Sequence, residues 1–312
     1  MSDGFVDTLR PAAACAEEAV VVGAPAHAVT RPALRYHGGK WRLAPWILRH
    51  IPPHRVYVEP FGGAASVLLR KQRSYAEIYN DLNEDVVNLF RVLRERDSAA
   101  ALERLVALTP FSRVEFELAY EITEEPVERA RRLLVRAFQG FGSTGTNGYG
   151  TGFRSTSSRS GSTPATDWRN FSPAIAEIAD RLQGVVIEKR PAIELLARHD
   201  EPAAVFYVDP PYVHSTRGKR NPHCVKNRYA FELTDQEHRE LAAALRSVRG
   251  MVVLSGYPCE LYDRELFPDW ERRDCPARAD GARARTEVLW LNPACSEALH
   301  RARGLFSCEV AA

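Results

Sequence analysis

The chain has 312 residues, 45% of them hydrophobic, and its 42 Lys and Arg against 40 Asp and Glu leave a formal net charge of +2. Such a chain can bury a core without disulfides or a structural metal, as one large domain or one domain carrying an insertion. The charge balance excludes a uniformly basic nucleic-acid binder, and no apolar run is long enough to span a bilayer.

Residues 1–30, rich in Ala, read as a flexible N-terminal arm with no secretion signal, and order is expected from Leu34. Tyr36-His37-Gly38-Gly39-Lys40 is a Gly-Gly turn leading into a helix over Trp41 to His50. Lys40 there either neutralises a ligand carboxylate or is a solvated lysine at a helix start. Val56–Glu59 reads as a buried strand, Ala65–Lys71 as the helix after it, and Glu77–Asn80 as a second strand. From Asn83 the spacing of Val86, Val87, Leu89, Phe90 and Leu93 predicts a helix, and helical patterning is clearest again over Val127–Phe138.

Gln139–Thr166 is then packed with Gly, Ser and Thr and holds no acidic residue. A loop of this length inside a compact domain is functional or disordered. Apolar strands resume at Val185–Ile187, Val205–Val208, Met251–Leu254 and Thr286–Leu291, and Thr234-Asp235-Gln236-Glu237 opens a helix with a capping box. His238 on that helix is assigned to packing or hydrogen bonding. The alternation predicts an α/β core from 31–95 and 200–312, split by a helical and Gly/Ser-rich insertion at 96–199.

Two strand ends carry chemistry. Glu59-Pro60-Phe61-Gly62-Gly63 places glycines directly after a strand, where backbone can approach a nucleotide-type ligand closely, and Asp81 ends the next strand, where an acid can hold ribose hydroxyls. A tight turn with a solvated acid is the competing reading. Asp209-Pro210-Pro211-Tyr212 follows the strand Val205–Val208. An exocyclic ring amine such as adenine N6 is a poor nucleophile, because its lone pair is delocalised. Acceptors aimed at that amine stabilise the positive charge that develops as it attacks, and the Asp209 carboxylate and the Pro210 carbonyl are two such acceptors. Neither proline has an N–H to donate, and Tyr212 can stack on a base rotated out of a duplex. The alternative is a rigid strand-end turn with a capping aspartate.

These stretches resemble the Dam-type, or D12 class, DNA adenine-N6 methyltransferases, including phage and prophage chains. The resemblance rests on Arg35 to Lys40, Val58 to Ala64, Asn80 to Asn83 and Phe206 to Tyr212, and continues through His238 to Leu241, Leu254 to Tyr257 and Arg285 to Trp290. It implies a Rossmann-like core that binds S-adenosyl-L-methionine, with Tyr36, Lys40, Asp81 and Asp209 in contact with it. Gly38, Gly39, Glu59, Pro60, Phe61, Gly62, Gly63 and Leu82 complete the expected cofactor site, and Asp209 to Tyr212 form the target-base pocket. It further implies double-stranded DNA as partner, no metal, and action as a monomer. Residues between Glu95 and about Asp200 match poorly and sit where the family carries its target-recognition part. Cytosine-N4 methylation and a catalytically silent, cofactor-sensing DNA binder are the alternatives.

Two basic segments are candidate DNA contacts. Arg154, Arg159 and Arg169 accompany the Gly-rich stretch, with Asn147, Tyr149 and Trp168 interleaved. Arg217, Lys219, Arg220, Lys226 and Arg228 follow the Asp-Pro-Pro-Tyr turn with no acidic residue before Tyr229, as suits phosphate contacts beside a pocket. Cys259 follows a later strand and is read as structural. His223 and Cys224 lack partners at metal-ligand spacing.

Overall fold

The computed structural model describes residues 29–142, 145–146, 150–156, 162–216, 231–278 and 284–309. Its centre is a seven-stranded sheet. In chain order the strands are β1 (Val56–Glu59), β2 (Ala76–Asn80), β3 (Val185–Glu188), β4 (Ala204–Val208), β5 (Met251–Gly256), β6 (Glu271–Arg278) and β7 (Ala284–Leu291). Their spatial order is β3-β2-β1-β4-β5-β7-β6. β1 pairs parallel to both β2 and β4, while β7 runs antiparallel to β5 and to β6. This mixed α/β sheet with helices on both faces bears out the expected methyltransferase core.

Side chains alternate across each strand, so the sheet has two apolar faces and needs two covers. Tyr57, Tyr79, Val205, Tyr207 and Val253 point to one face. It is covered by α2 (Glu84–Arg94), α3 (Arg96–Leu108), α5 (Pro126–Gln139), α6 (Pro164–Arg169) and α7 (Ala174–Arg181), through residues such as Phe90, Leu102, Leu134, Phe171 and Ile178. Val58, Ile78, Phe206, Val208, Val252 and Leu254 point the other way, onto α8 (Ala192–Arg198), α9 (Asp235–Ser247) and a π-helical turn at Leu261–Leu266. Asn83 caps α2 by accepting from Asp85 and Val86 N–H, and the capping box at Thr234 and Glu237 starts α9 as its sequence predicts.

Three expectations change. Residues 65–71 coil without forming a continuous helix: Ala65 has φ 51°, and the Leu68 N–H donates to Glu59 Oε1 at 2.8 Å. The helix expected over Trp41 to His50 is reduced to α1 (Ala44–Leu48), flanked by turns. The domain boundary expected at 199 does not follow the sheet either. β3 lies within 96–199 yet pairs with β2, Glu77 opposite Val185 through Asn80 opposite Glu188, so only the helices and loops before it stand outside the sheet.

Those helices are fastened by a buried ionic knot. Arg181 of α7 donates to Glu77 of β2 at 2.6 and 2.9 Å and to the Leu68 carbonyl at 2.7 Å, while Lys71 meets Glu77 at 2.6 Å. The three side chains are between 4 and 5% exposed, so removing one partner strands the others in low dielectric.

Candidate active site

The strand order reverses between β1 and β4. From β1 the chain builds outward to β2 and β3, then returns to β4 and continues to β5 on the other side. Loops leaving the carboxyl ends of β1 and β4 therefore diverge, and the crevice between them is where α/β sheets bind ligands. The two chemical stretches of the sequence are those two loops.

On the β1 side, Glu59 is 2% exposed and accepts from Tyr57 Oη at 2.6 Å and Leu68 N–H at 2.8 Å. Burial pushes its pKa up to about 7, against the lowering effect of those two bonds. Gly62 and Gly63 have a packing reason to be glycine that the sequence did not suggest. A Cβ on Gly62 would lie 2.2 Å from the Tyr79 ring, and one on Gly63, where φ is +48°, would lie 2.8 Å from the Tyr36 ring. Both glycines therefore make room for two tyrosines that support the loop, while themselves lining the pocket. Asp81, at the end of β2, accepts from Gly63 N–H at 2.8 Å and Asn83 N–H at 2.7 Å, so it ties the two exit loops together, and burial raises its pKa.

On the β4 side, Asp209 Oδ2 meets Lys40 Nζ at 2.8 Å. Lys40 is 5% exposed, also donates to the Gly38 carbonyl at 2.8 Å, and stands 3.7 Å from Glu287 Oε1. Its ammonium thus holds the Asp209 carboxylate in place. The other oxygen, Asp209 Oδ1, is buried without a hydrogen-bond partner. Burial raises the Asp209 pKa to about 6, with Lys40 pulling it down and Glu287 pushing it up. Tyr212 is 6% exposed; its hydroxyl donates to Glu287 Oε1, its ring sits edge-on to Tyr257 with centroids 4.6 Å apart, and Lys40 Nζ lies 4.8 Å from its centroid. The stacking face expected of Tyr212 is therefore almost closed by protein neighbours.

A pocket between the loops encloses about 860 Å³, open solvent at its mouth included. Every residue expected at the cofactor lines it: Tyr36, Gly38, Gly39, Lys40, Glu59, Pro60, Phe61, Gly62, Gly63, Asp81, Leu82 and Asp209. Of the expected target-base residues, Asp209 and Pro211 line it, while Pro210 and Tyr212 are outside its lining. The sequence assigns no role to Ser66, Arg190, Tyr207 or Phe231 of the lining, nor to Glu287, although Glu287 lies in the stretch Arg285 to Trp290 that carries the resemblance.

The basic candidates fare differently. Arg154 is 7% exposed, and its guanidinium donates to the Phe138 carbonyl at 3.1 Å, so it holds the insertion together and is withdrawn as a phosphate contact. Trp168 is likewise interior, donating to the Thr109 carbonyl at 2.7 Å and packing on Phe138 and Phe171. Arg169 is exposed. Asn147, Tyr149, Arg159, Arg217, Lys219, Arg220, Lys226 and Arg228 lie outside the described residues, as do His223 and Cys224. Cys259 is half-buried and burial raises its thiol pKa, which fits a structural cysteine. Among the described residues, no group of three or more His, Cys, Asp or Glu could hold a metal ion, and no helix is long and apolar enough to cross a membrane.

A glycine loop and a buried acid on one side of a switch point, and an Asp-Pro-Pro-Tyr turn on the other, open onto one pocket. The family model of the D12 class N6 adenine-specific DNA methyltransferases matches residues 36–271, and the chain belongs to that family. Its activity is N6-adenine methylation of DNA, which needs a methyl donor. The chain is 27% identical over 252 residues to a DNA adenine methylase of Escherichia coli (strain K12), covering 78% of this chain and 84% of the relative. A DNA adenine methylase of Salmonella typhi is 28% identical over 251 residues, covering 77% and 84%. That of Serratia marcescens is 39% identical over a shorter stretch of 66 residues, covering 21% and 24%.

Proposed function

We propose that the methyl donor is S-adenosyl-L-methionine, held in the pocket between the β1 and β4 loops, and that the acceptor is adenine N6 of double-stranded DNA, rotated out of the helix. The observation that carries this reading is Asp209 Oδ1, a buried acceptor without a partner in the pocket wall. A buried polar atom left unpaired costs free energy, and an amino group placed against it recovers that cost. The residues fit the donor: Glu59, Asp81 and Asp209 all line the pocket, and carboxylates favour a cationic sulfonium. When bound, that group supplies an electrophilic methyl.

The chain's own residues do the rest. Asp81 orients hydroxyls at the end of β2, and Tyr36 and Phe61 exclude water from the middle of the pocket. Lys40 holds the Asp209 carboxylate at 2.8 Å, so that its free oxygen and the Pro210 carbonyl accept from the incoming amine as positive charge develops. The proton leaves N6 after transfer, and no covalent enzyme intermediate is needed. The basic residues from Arg217 to Arg228 serve as phosphate contacts; reversing Arg217 and Arg220 together weakens DNA binding uniformly across sequences, measured at moderate salt. The helices and loops within 96–199 are proposed to carry target recognition.

Nucleoside mass spectrometry on unmethylated plasmid DNA, incubated with the protein and methyl-labelled S-adenosyl-L-methionine, tests the reading. Labelled N6-methyladenine is expected. Labelled N4-methylcytosine would change the substrate, and absence of label despite cofactor binding would leave a silent DNA binder.

A further inference from the structure

One buried acid has no task in the transfer step. Glu287, in the middle of β7, is 3% exposed and stands outside the pocket lining. Its neighbour across β6 is Cys275, and on its other side β7 pairs with β5. An acid at this depth is costly unless donors surround it. One oxygen, Oε1, has three: the Tyr212 hydroxyl, the Ser255 hydroxyl at 3.0 Å and the Lys40 ammonium at 3.7 Å. They belong to the loop after β4, to β5 and to the turn before α1, so Glu287 joins three segments that lie far apart in the chain.

Two of these donors bear on the acceptor turn. Tyr212 ends the Asp-Pro-Pro-Tyr turn, and its ring is held by the hydroxyl at one end and packed edge-on to Tyr257. The turn that presents the Pro210 carbonyl is thereby fixed at its last residue. Lys40 stands between two carboxylates, 2.8 Å from Asp209 and 3.7 Å from Glu287. A cation shared by two acids neutralises neither completely, so Asp209 remains a stronger acceptor than it would be with Lys40 to itself. The titration of Asp209 has the matching sign: burial raises its pKa most, Lys40 lowers it, and Glu287 raises it again.

We propose that Glu287 is a positioning residue for methyl transfer, holding Tyr212 by its hydroxyl and sharing Lys40 with Asp209 so that the Asp209 carboxylate stays a strong acceptor. This rests on the reading that Asp209 accepts from the amine. Other titratable and charged groups face the two acids: Glu59 from β1, Tyr207 from β4, Tyr257 after β5 with Arg285 beside it, Tyr262 from the π-helical turn, and Cys275 from β6. All of them keep their side chains when position 287 alone is changed.

The test is steady-state DNA methylation by the full chain from about pH 5 to about pH 9, with rates expressed per folded molecule. Glu287→Gln keeps an oxygen for the two hydroxyls and loses the charge. Its acid limb of kcat/KM is expected to move about half a unit to one unit to lower pH, and its plateau kcat to fall about tenfold, with KM for the methyl donor within about twofold. Glu287→Asp keeps the charge on a shorter arm. Its limb is expected to stay within about 0.3 units of wild type while kcat falls about threefold, because Tyr212 loses its anchor. A limb that stays in place in Glu287→Gln, or moves to higher pH, would overturn the proposal while the Asp209 reading stands. So would wild-type kcat per folded molecule in both variants, the result that a purely structural acid predicts. Asp209→Ala measured alongside keeps the two failures apart: near wild-type turnover there would remove the acceptor reading and this proposal with it.

Discussion

Two buried lysine–carboxylate pairs stand on the same sheet and have opposite characters. Lys71 meets Glu77 at 2.6 Å in the body of β2, and Lys40 meets Asp209 at 2.8 Å just beyond β4. Burial alone would raise both acids. Glu77 nevertheless has a lowered pKa, because Arg181 and Lys71 more than offset its burial, with the Ser74 N–H as a further donor. Asp209 has its pKa raised to about 6, because one lysine does not offset burial and the repulsion from Glu287. The same two residue types make a fastener when every acceptor site is filled and a reactive wall when one is left open.

The largest expected effect follows from the open oxygen. Asp209→Ala should lower methyl transfer per folded molecule by at least about a hundred- to a thousandfold, the scale of losing one preorganised electrostatic partner, and it also lowers stability because it removes the nearest carboxylate of the buried Lys40. Near wild-type turnover would erase the distinction between the pairs. The fastener should respond in the reverse way: Glu77→Ala is expected to cost about 3–5 kcal/mol of stability by urea unfolding, since it leaves Arg181 and Lys71 buried and unpaired, while turnover per folded molecule persists.

The pH dependence sharpens the contrast. Asp209 accepts from the amine only when ionised, so kcat/KM should fall as pH drops through about 6. The positive charge of Lys40 lowers the Asp209 pKa, so Lys40→Met should move that acid limb to higher pH; a limb that stays in place would detach it from Asp209. The smallest effect concerns Glu59. Its folded pKa of about 7 is above the ordinary value of 4.5, so the stability of its neutral form is present below about pH 4.5 and lost as pH rises through 7. Glu59→Gln, which stays neutral, should be about 1–3 kcal/mol more stable than the wild type above pH 7 and equal to it at pH 4. Thermal melts across that range decide it.

Strands buried on both faces were legible because they read as short apolar runs: Val56–Glu59, Ala204–Val208 and Met251–Gly256 lie where the sequence predicts them. β6 was not, because Glu271-Arg272-Arg273-Asp274-Cys275-Pro276 has no apolar alternation. It is an edge strand paired only with β7, and a proline and charges are what such an edge tolerates. The pocket residues were legible as strand-end motifs, whereas the packing of Gly62 and Gly63 was not, since Tyr79 and Tyr36 reach them from elsewhere in the chain. Arg154 shows the limit of reading charge: composition marks a cation, and only the fold shows its guanidinium turned inward on the Phe138 carbonyl. Ser66 and Tyr207 reach the pocket wall, and Glu287 reaches Lys40, through tertiary proximity, although Tyr207 and Glu287 lie in stretches that carry the family resemblance.

Ala65 is the non-glycine residue with positive φ among the described residues, at 51°, and it is fully buried. Left-handed backbone costs an alanine about 1–2 kcal/mol, so the coil does not take this shape by its own preference. It is imposed from outside, by Tyr79 Oη on the Gly63 carbonyl and by Asp81 on the Gly63 N–H. Folding therefore bears the entropy of shaping this wall. An arriving ligand meets this side of the pocket already shaped, so the ordering of the Gly63–Ala65 coil is not charged against its affinity.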